Sequence, residues 1–312
     1  MTRKSSYSLF GEPWWLDVVA GPGGWDEVSI ESGGRLQARL PFVLRKKYGL
    51  SAITTPALTQ HLGPWFAPTS AKYATKLARQ KDLVEELISR LPKHHVFRQN
   101  FHHCDANWLP WYWQGFEQTT RYTYVLDDLS DEQALWNGMQ SNVRRNIRKA
   151  QNRFGLRVCS DLGPDILLAT CQKTFQRQNR KGLSEKIVRR IYDTCETRGS
   201  GRAFFAVDDK NQVHAALFLV WDERAAYYLL SGGDPKLRNS GAHSLLMWEV
   251  IKFASTVSKT FDFEGSMVEP IERFFRAFGS RQAPYHQITR INSRWLKAGW
   301  LVKEGVKAVI KP

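Results

Sequence analysis

Between Ala203 and Ser231 three apolar runs, AFFAV, VHAALFLVW and AAYYLLS, are separated by the polar turns DDKNQ and DER. Short apolar runs joined by such turns predict an antiparallel meander of three strands. Gly232-Gly233-Asp234 breaks the last strand, and a helix is predicted from about Gly241 to Val257. The strand KTFDFEG, a short helix Ile271–Phe278 and a final strand PYHQITRI follow. Upstream, Leu156–Cys159 reads as a strand, and Asp165–Asn179 and Ser184–Arg198 as helices. The first hundred residues read as a helix at Pro13–Ala20, a hairpin of Trp25–Ile30 and RLQARLPFVLRKK turning at Gly33-Gly34, a helix over Ala71–Arg90 and a strand at Val96–Phe101. An alternating run, Arg121–Leu126, precedes the second half. This order is α/β (α+β), with mixed, mostly antiparallel sheets flanked by helices.

Ser130–Arg157, SDEQALWNGMQSNVRRNIRKAQNRFGLR, reads as a single amphipathic helix. Ser130 and Gln133 suit a capping box, and Gly155 suits its end. Leu135/Trp136, Met139, Val143, Ile147, Ala150 and Phe154 recur at steps of three and four and form one apolar stripe. The other side carries Arg144, Arg145, Arg148, Lys149 and Arg153 with no acid among them. Solvated faces usually mix signs to gain i,i+4 pairs, so this one predicts an anion-binding surface. Over all 312 residues the net charge is +15, which draws phosphates, nucleic acid or anionic headgroups without choosing among them.

The N-terminus lacks the apolar core of a signal peptide, and no run reaches the roughly 18 apolar residues of a membrane span. Cys104, Cys159, Cys171 and Cys195 show no CxxC spacing, so reduced thiols and a cytoplasmic protein are expected. His94, His95, His102, His103 and Cys104 invite a metal reading. Adjacent imidazoles do not easily aim at one ion, and no partner recurs at ligand spacing, so no metal is expected there.

The layout from residue 130 onward is that of an N-acetyltransferase-like (GNAT) domain. With WNGMQSNVRRNIRKAQNRFGLRV, SGGDPKLRNSGAHSLLMWEVIKFA and FDFEGSMVEPIERFFRAFGSRQAPYHQI, the chain resembles the FemAB-like branch of that superfamily, with BioF2-like and peptidoglycan-bridge-type acyltransferases. The resemblance implies tandem GNAT-like domains, at 1–128 and 129–292, with 293–312 packing back on the first. It implies transfer of an acyl or aminoacyl group to an amine, from acyl-CoA or from aminoacyl-tRNA as co-substrate. It also implies a pyrophosphate loop at the start of the helix after the meander, here Arg238, Asn239, Ser240, Gly241 and Ala242. Peptidoglycan-bridge enzymes carry a lysine in F-K-x-x-F-G; this chain has Phe275 there and Arg276 beside it.

Amide formation by direct amine attack needs a base and a proton for the leaving group, and no nucleophile. Glu264 at the end of FDFEG is the preferred base, with Asp262 of the same strand parity as the alternative. Tyr228 is a donor to the leaving group or a core ring. His243, in the first turn of the loop's helix, is a second proton-transfer candidate. Arg276 and Tyr285 are candidates for the acceptor pocket, and Arg144, Arg145, Arg148 and Lys149 for an anionic donor or acceptor. Such partners include CoA, a nucleotide-linked or lipid-linked precursor of the cell envelope, or tRNA, with peripheral membrane contact. A non-catalytic phosphate- or nucleic-acid-binding protein on the same fold is the rival expectation.

Overall fold

The computed structural model describes residues 6–105, 107–179, 182–265, 267–293 and 296–297. The chain divides into two compact units, one of Met1–Arg121 with Pro284–Pro312 and one of Tyr122–Ala283. The expected return of 293–312 onto the first unit falls almost wholly outside the described residues.

In chain order the elements are α1 (Pro13–Ala20), β1 (Asp26–Ser32), β2 (Arg35–Lys47), β3 (Leu50–Thr54), β4 (Trp65–Phe66), α2 (Tyr73–Arg90), β5 (Val96–Asn100), α3 (Leu109–Trp113) and β6 (Glu117–Leu126). Then come α4 (Glu132–Gly138), α5 (Ser141–Asn152), β7 (Arg157–Cys159), α6 (Gly163–Arg177), α7 (Glu185–Thr197), β8 (Gly201–Val207), β9 (Val213–Trp221) and β10 (Ala225–Gly233). The last are α8 (Ala242–Ala254), β11 (Thr260–Asp262), α9 (Glu269–Arg276) and β12 (Arg281–Ile291).

In the first unit β2 is central. It pairs antiparallel with β1, β3 and the short β4. β3 runs parallel to β5, which pairs antiparallel with residues 287–291 of β12. Leu40, Phe42, Ile53, Phe97, Phe101 and Trp111 form the core against Val84 and Leu87 of α2. Tyr48 and Gly49 close the β2–β3 hairpin with φ of 50° and 72°. A two-residue turn of this hand suits Asn-Gly, because an aromatic residue there has its Cβ against the carbonyl. Tyr48 is 90% exposed and buries little in return. Tyr48→Asn is expected to raise stability by about 0.5–1 kcal/mol, read from the urea midpoint.

In the second unit the predicted meander is present: β8, β9 and β10 are antiparallel neighbours, with β7 beyond β8. On its other side β10 runs parallel to β11, which pairs antiparallel with β6. The core combines Ala215, Leu217 and Leu219 of β9 with Leu245, Leu246, Val250 and Ile251 of α8, and Val143, Ile147 and Ala150 of α5.

The single helix expected over Ser130–Arg157 is two helices. Met139 and Gln140 are extended, with ψ of 146° and 147°. The amide of Gln140 donates to Ala277 O (2.9 Å), a tertiary bond that replaces an intrahelical one. The capping box is also displaced by one residue. Asp131, not Ser130, accepts the Ala134 amide (2.9 Å), while Ser130 donates its own amide to Asp128. The apolar stripe survives the break because Met139 is buried with Val143 and Ile147.

Candidate functional site

The site is built on a fork between two parallel strands. β10 and β11 pair from Ala225–Thr260 to Tyr227–Asp262, and there β11 ends while β10 continues to Gly233. Just beyond the last of these pairs, the pairing of β10 with β9 shifts register between Tyr228 and Leu230. Bulges of this kind bend a strand and re-aim its side chains.

Asp262 is buried at the last paired position. It accepts from Thr123 Oγ1 of β6 and from the amide of Glu264 (2.7 Å). Phe263 donates its amide to Tyr124 O (2.9 Å), which holds the segment against β6. Glu264 and Gly265 both adopt left-handed backbone, with φ of 60° and 59°. Glu264 therefore lies beyond the strand, and the shared parity expected of it and Asp262 does not apply. Burial first, and the neighbouring Asp262 charge second, push the Glu264 carboxyl well above the usual carboxylate range. A carboxyl perturbed by both causes at the mouth of a fork is a candidate acid–base group.

The other prong carries Tyr228. Its ring packs edge-on against Phe275 (5.4 Å between centroids, 71°), and Phe275 also meets Phe263 at 5.2 Å. Burial pushes the Tyr228 phenol up to about 12, so it stays protonated at neutral pH. Phe275 is 3% exposed, so the position of the bridge-enzyme lysine belongs to an apolar cluster. Arg276 points away into a polar chain. Its Nε donates to Glu272 Oε1 (2.8 Å), which also accepts from Tyr124 Oη (2.7 Å). Gln282 in turn donates to that phenol oxygen (2.7 Å). Sequence patterns do not point to the parts played by Thr123 and Tyr124, because their partners lie 139, 148 and 158 residues further along the chain.

A 3-10 turn, Pro235–Ser240, and Gly241 at φ 83° lead into α8. α5 crosses here so closely that a Cβ on Gly241 would fall 2.4 Å from Asn146 O. Ser240 and Ala242 are buried under this crossing, whereas Arg238 and Asn239 are exposed. His243 lies against Gly233, where an added Cβ would come within 2.3 Å of its ring. Burial and the Arg177 charge push its imidazole down to about 4, which leaves the ring neutral at neutral pH.

The basic cluster of α5 divides by role. Arg144 donates to three carbonyls at the end of α4, those of Trp136 (3.2 Å), Asn137 (2.9 Å) and Met139 (2.8 Å). Arg148 stacks over Trp136, and Lys149 lies over Phe154. Arg145 is exposed beside Asn146. Arg144→Ala is expected to cost about 2 kcal/mol by uncapping α4, against less than about 0.5 kcal/mol for Arg145→Ala. Paired urea titrations check this. Tyr285 is buried in the first unit.

Among the described residues, His102, His103 and Cys104 place one ligand atom each within 4.8 Å of one another. The imidazoles of His102 and His103 stack at 4.3 Å, and Nδ1 of His102 accepts the Cys104 amide (3.1 Å). His94 bonds to Pro92 O and His95 accepts the Ser51 amide, so these two are held by the backbone. None of the four cysteines forms a disulfide, and no described helix is long and apolar enough to cross a membrane.

Residues 138–267 match the family described as acetyltransferase (GNAT) domain. The chain shares its fold with FemX (TM-score 0.67, 13% identity, covering 90% of this chain and 93% of that one). The same holds for a tandem GNAT protein from the clavulanic acid biosynthesis pathway (TM-score 0.53, 12% identity, 89% and 94%). L-PGS from Bacillus licheniformis is a third (TM-score 0.53, 12% identity, 97% and 98%). No curated protein sequence matches the chain.

Proposed function

We propose that the second unit moves an acyl group from a coenzyme A thioester to an amine, with Glu264 as the base. The observation that carries this reading is the raised carboxyl of Glu264 just past the end of β11, on one prong of the fork. A thioester carbonyl lying along β10 would find backbone there that β11 no longer pairs. The amine nitrogen bonds to that carbonyl carbon and passes a proton to the Glu264 carboxylate. The carbon–sulfur bond then breaks, and the thiolate leaves as the thiol. Tyr228 supports the last step, since its phenol keeps a proton at neutral pH. The donor's phosphates are assigned to Arg238 and Asn239 with Arg145, because Gly241 brings their loop onto α5.

The choice of CoA over aminoacyl-tRNA rests on Phe275, which fills the lysine position with an apolar ring. The tRNA-dependent reading draws on the FemX fold and the cations of α5. The acceptor is taken to be a small amine or an envelope precursor.

The test follows thiol release from acyl-CoA thioesters with a panel of amines, and products by mass spectrometry. Amine-dependent release that is lost in Glu264→Gln is the expected result. Consumption of charged tRNA with no use of thioesters would establish the tRNA reading instead. Salt-sensitive RNA binding without turnover of any donor would establish the non-catalytic one.

A further inference from the structure

The second unit holds an apolar recess between α6, α7 and β10. Its walls are Leu168, Cys171 and Phe175 of α6, Leu183 just before α7, Val188 in the first turn of α7, and Leu230 of β10. Leu168, Phe175 and Leu183 are half-buried, so apolar surface faces water here until something covers it. The polar lining residues Gln172 and Glu185 are exposed at the rim.

The recess reaches β10 at Leu230. Leu230 stands three residues past the last β10–β11 pair on one prong, and Glu264 two residues past it on the other. α6 rests directly on this part of β10, since a Cβ on Gly232 would fall 2.4 Å from Cys171 Cα. The Cys171 thiol is raised to about 12 by burial, so it acts as wall and not as nucleophile. An acetyl methyl needs no recess of this kind, and a cationic aminoacyl group has only exposed rim polarity to meet.

Resting on the transfer reading above, we infer that the donor carries an aliphatic acyl chain and that this recess receives it. The chain's apolar surface would displace water from Leu168, Phe175, Leu183 and Leu230 while the thioester carbonyl stays in the fork.

The experiment compares kcat/KM for acetyl-CoA and octanoyl-CoA with one amine, using the full chain. Octanoyl transfer is expected to be favoured by at least about tenfold. Leu168→Trp should remove most of that preference by bulk and Leu183→Asp by charge, with folding checked by melting temperature. Equal use of the two thioesters by the wild type overturns the inference, as does a preference that survives both variants. If no thioester is turned over, the transfer reading has failed on its own. Calorimetric binding then decides the recess separately: equal affinity for octanoyl-CoA and acetyl-CoA overturns it, and tighter octanoyl-CoA binding lost in Leu168→Trp upholds it.

Discussion

Glu264→Gln is expected to lower amine-dependent thiol release by at least about 100-fold while the protein stays folded. The amide keeps the shape of the side chain and removes only its capacity to take a proton. In the wild type, burial and Asp262 hold this carboxyl well above the ordinary glutamate value. Activity should therefore rise with pH through an apparent pKa above the usual carboxylate range, and that limb should vanish in the variant.

The same shift has a consequence for stability, with a definite sign. A carboxyl whose folded pKa is raised favours the native state most at low pH, below its unfolded value. That contribution is lost as pH rises through the folded pKa, because the native state must then hold a buried anion. Glu264→Gln removes this loss, so the variant should melt above the wild type at pH 8 and close to it at pH 4. Equal melting temperatures across that window would show that the carboxyl pays no burial penalty, and its standing as a tuned base would fall.

Gly265→Ala is the second large effect, expected to cost about 3 kcal/mol and most of the activity. Two terms add. The residue holds φ 59°, which a Cβ disfavours, and the added atom would fall 2.1 Å from Tyr122 O. That contact is with backbone and cannot be relieved by a rotamer change. The segment would have to move away from β6, carrying with it the amide bond from Glu264 to Asp262. A fall in both the urea midpoint and kcat checks this. Loss of stability with kcat intact would separate the turn from the site.

Much of the fold was legible in the chain because it rests on local pattern. β9 falls on Val213–Trp221 as its apolar run implies, and the meander follows from the turns around it. α2, α6, α7 and α8 lie within about three residues of their expected ends, as period and punctuation allow. What was not legible depends on distant partners. The break after Gly138 carries no proline. It forms because Gln140 finds a carbonyl on residue 277, which nothing in the 130–157 stretch reveals. β3 and α3 are short, and their apolar residues find partners only in the assembled sheet. For the candidate site, the FDFEG ending and the third strand make Glu264 and Tyr228 candidates. The left-handed turn at Glu264 and the Thr123 contact required the three-dimensional neighbour β6. Arg144 shows the converse, since composition counts it with the cations of α5 and geometry makes it a helix cap.

The first unit is discontinuous, and its β5 pairs with the last described strand through Gln287–Asn100 to Ile291–Val96. During synthesis that edge of β5 has no partner until the whole second unit has left the ribosome. At about 5–20 residues per second, a strand edge bearing Phe97 and Gln99 waits on the order of ten seconds or longer for its closing strand. The order of translation therefore makes completion of the second unit a precondition for completing the first. A chain released before residue 291 would present that open edge to its neighbours, which makes truncated products the form of this protein most prone to aggregate.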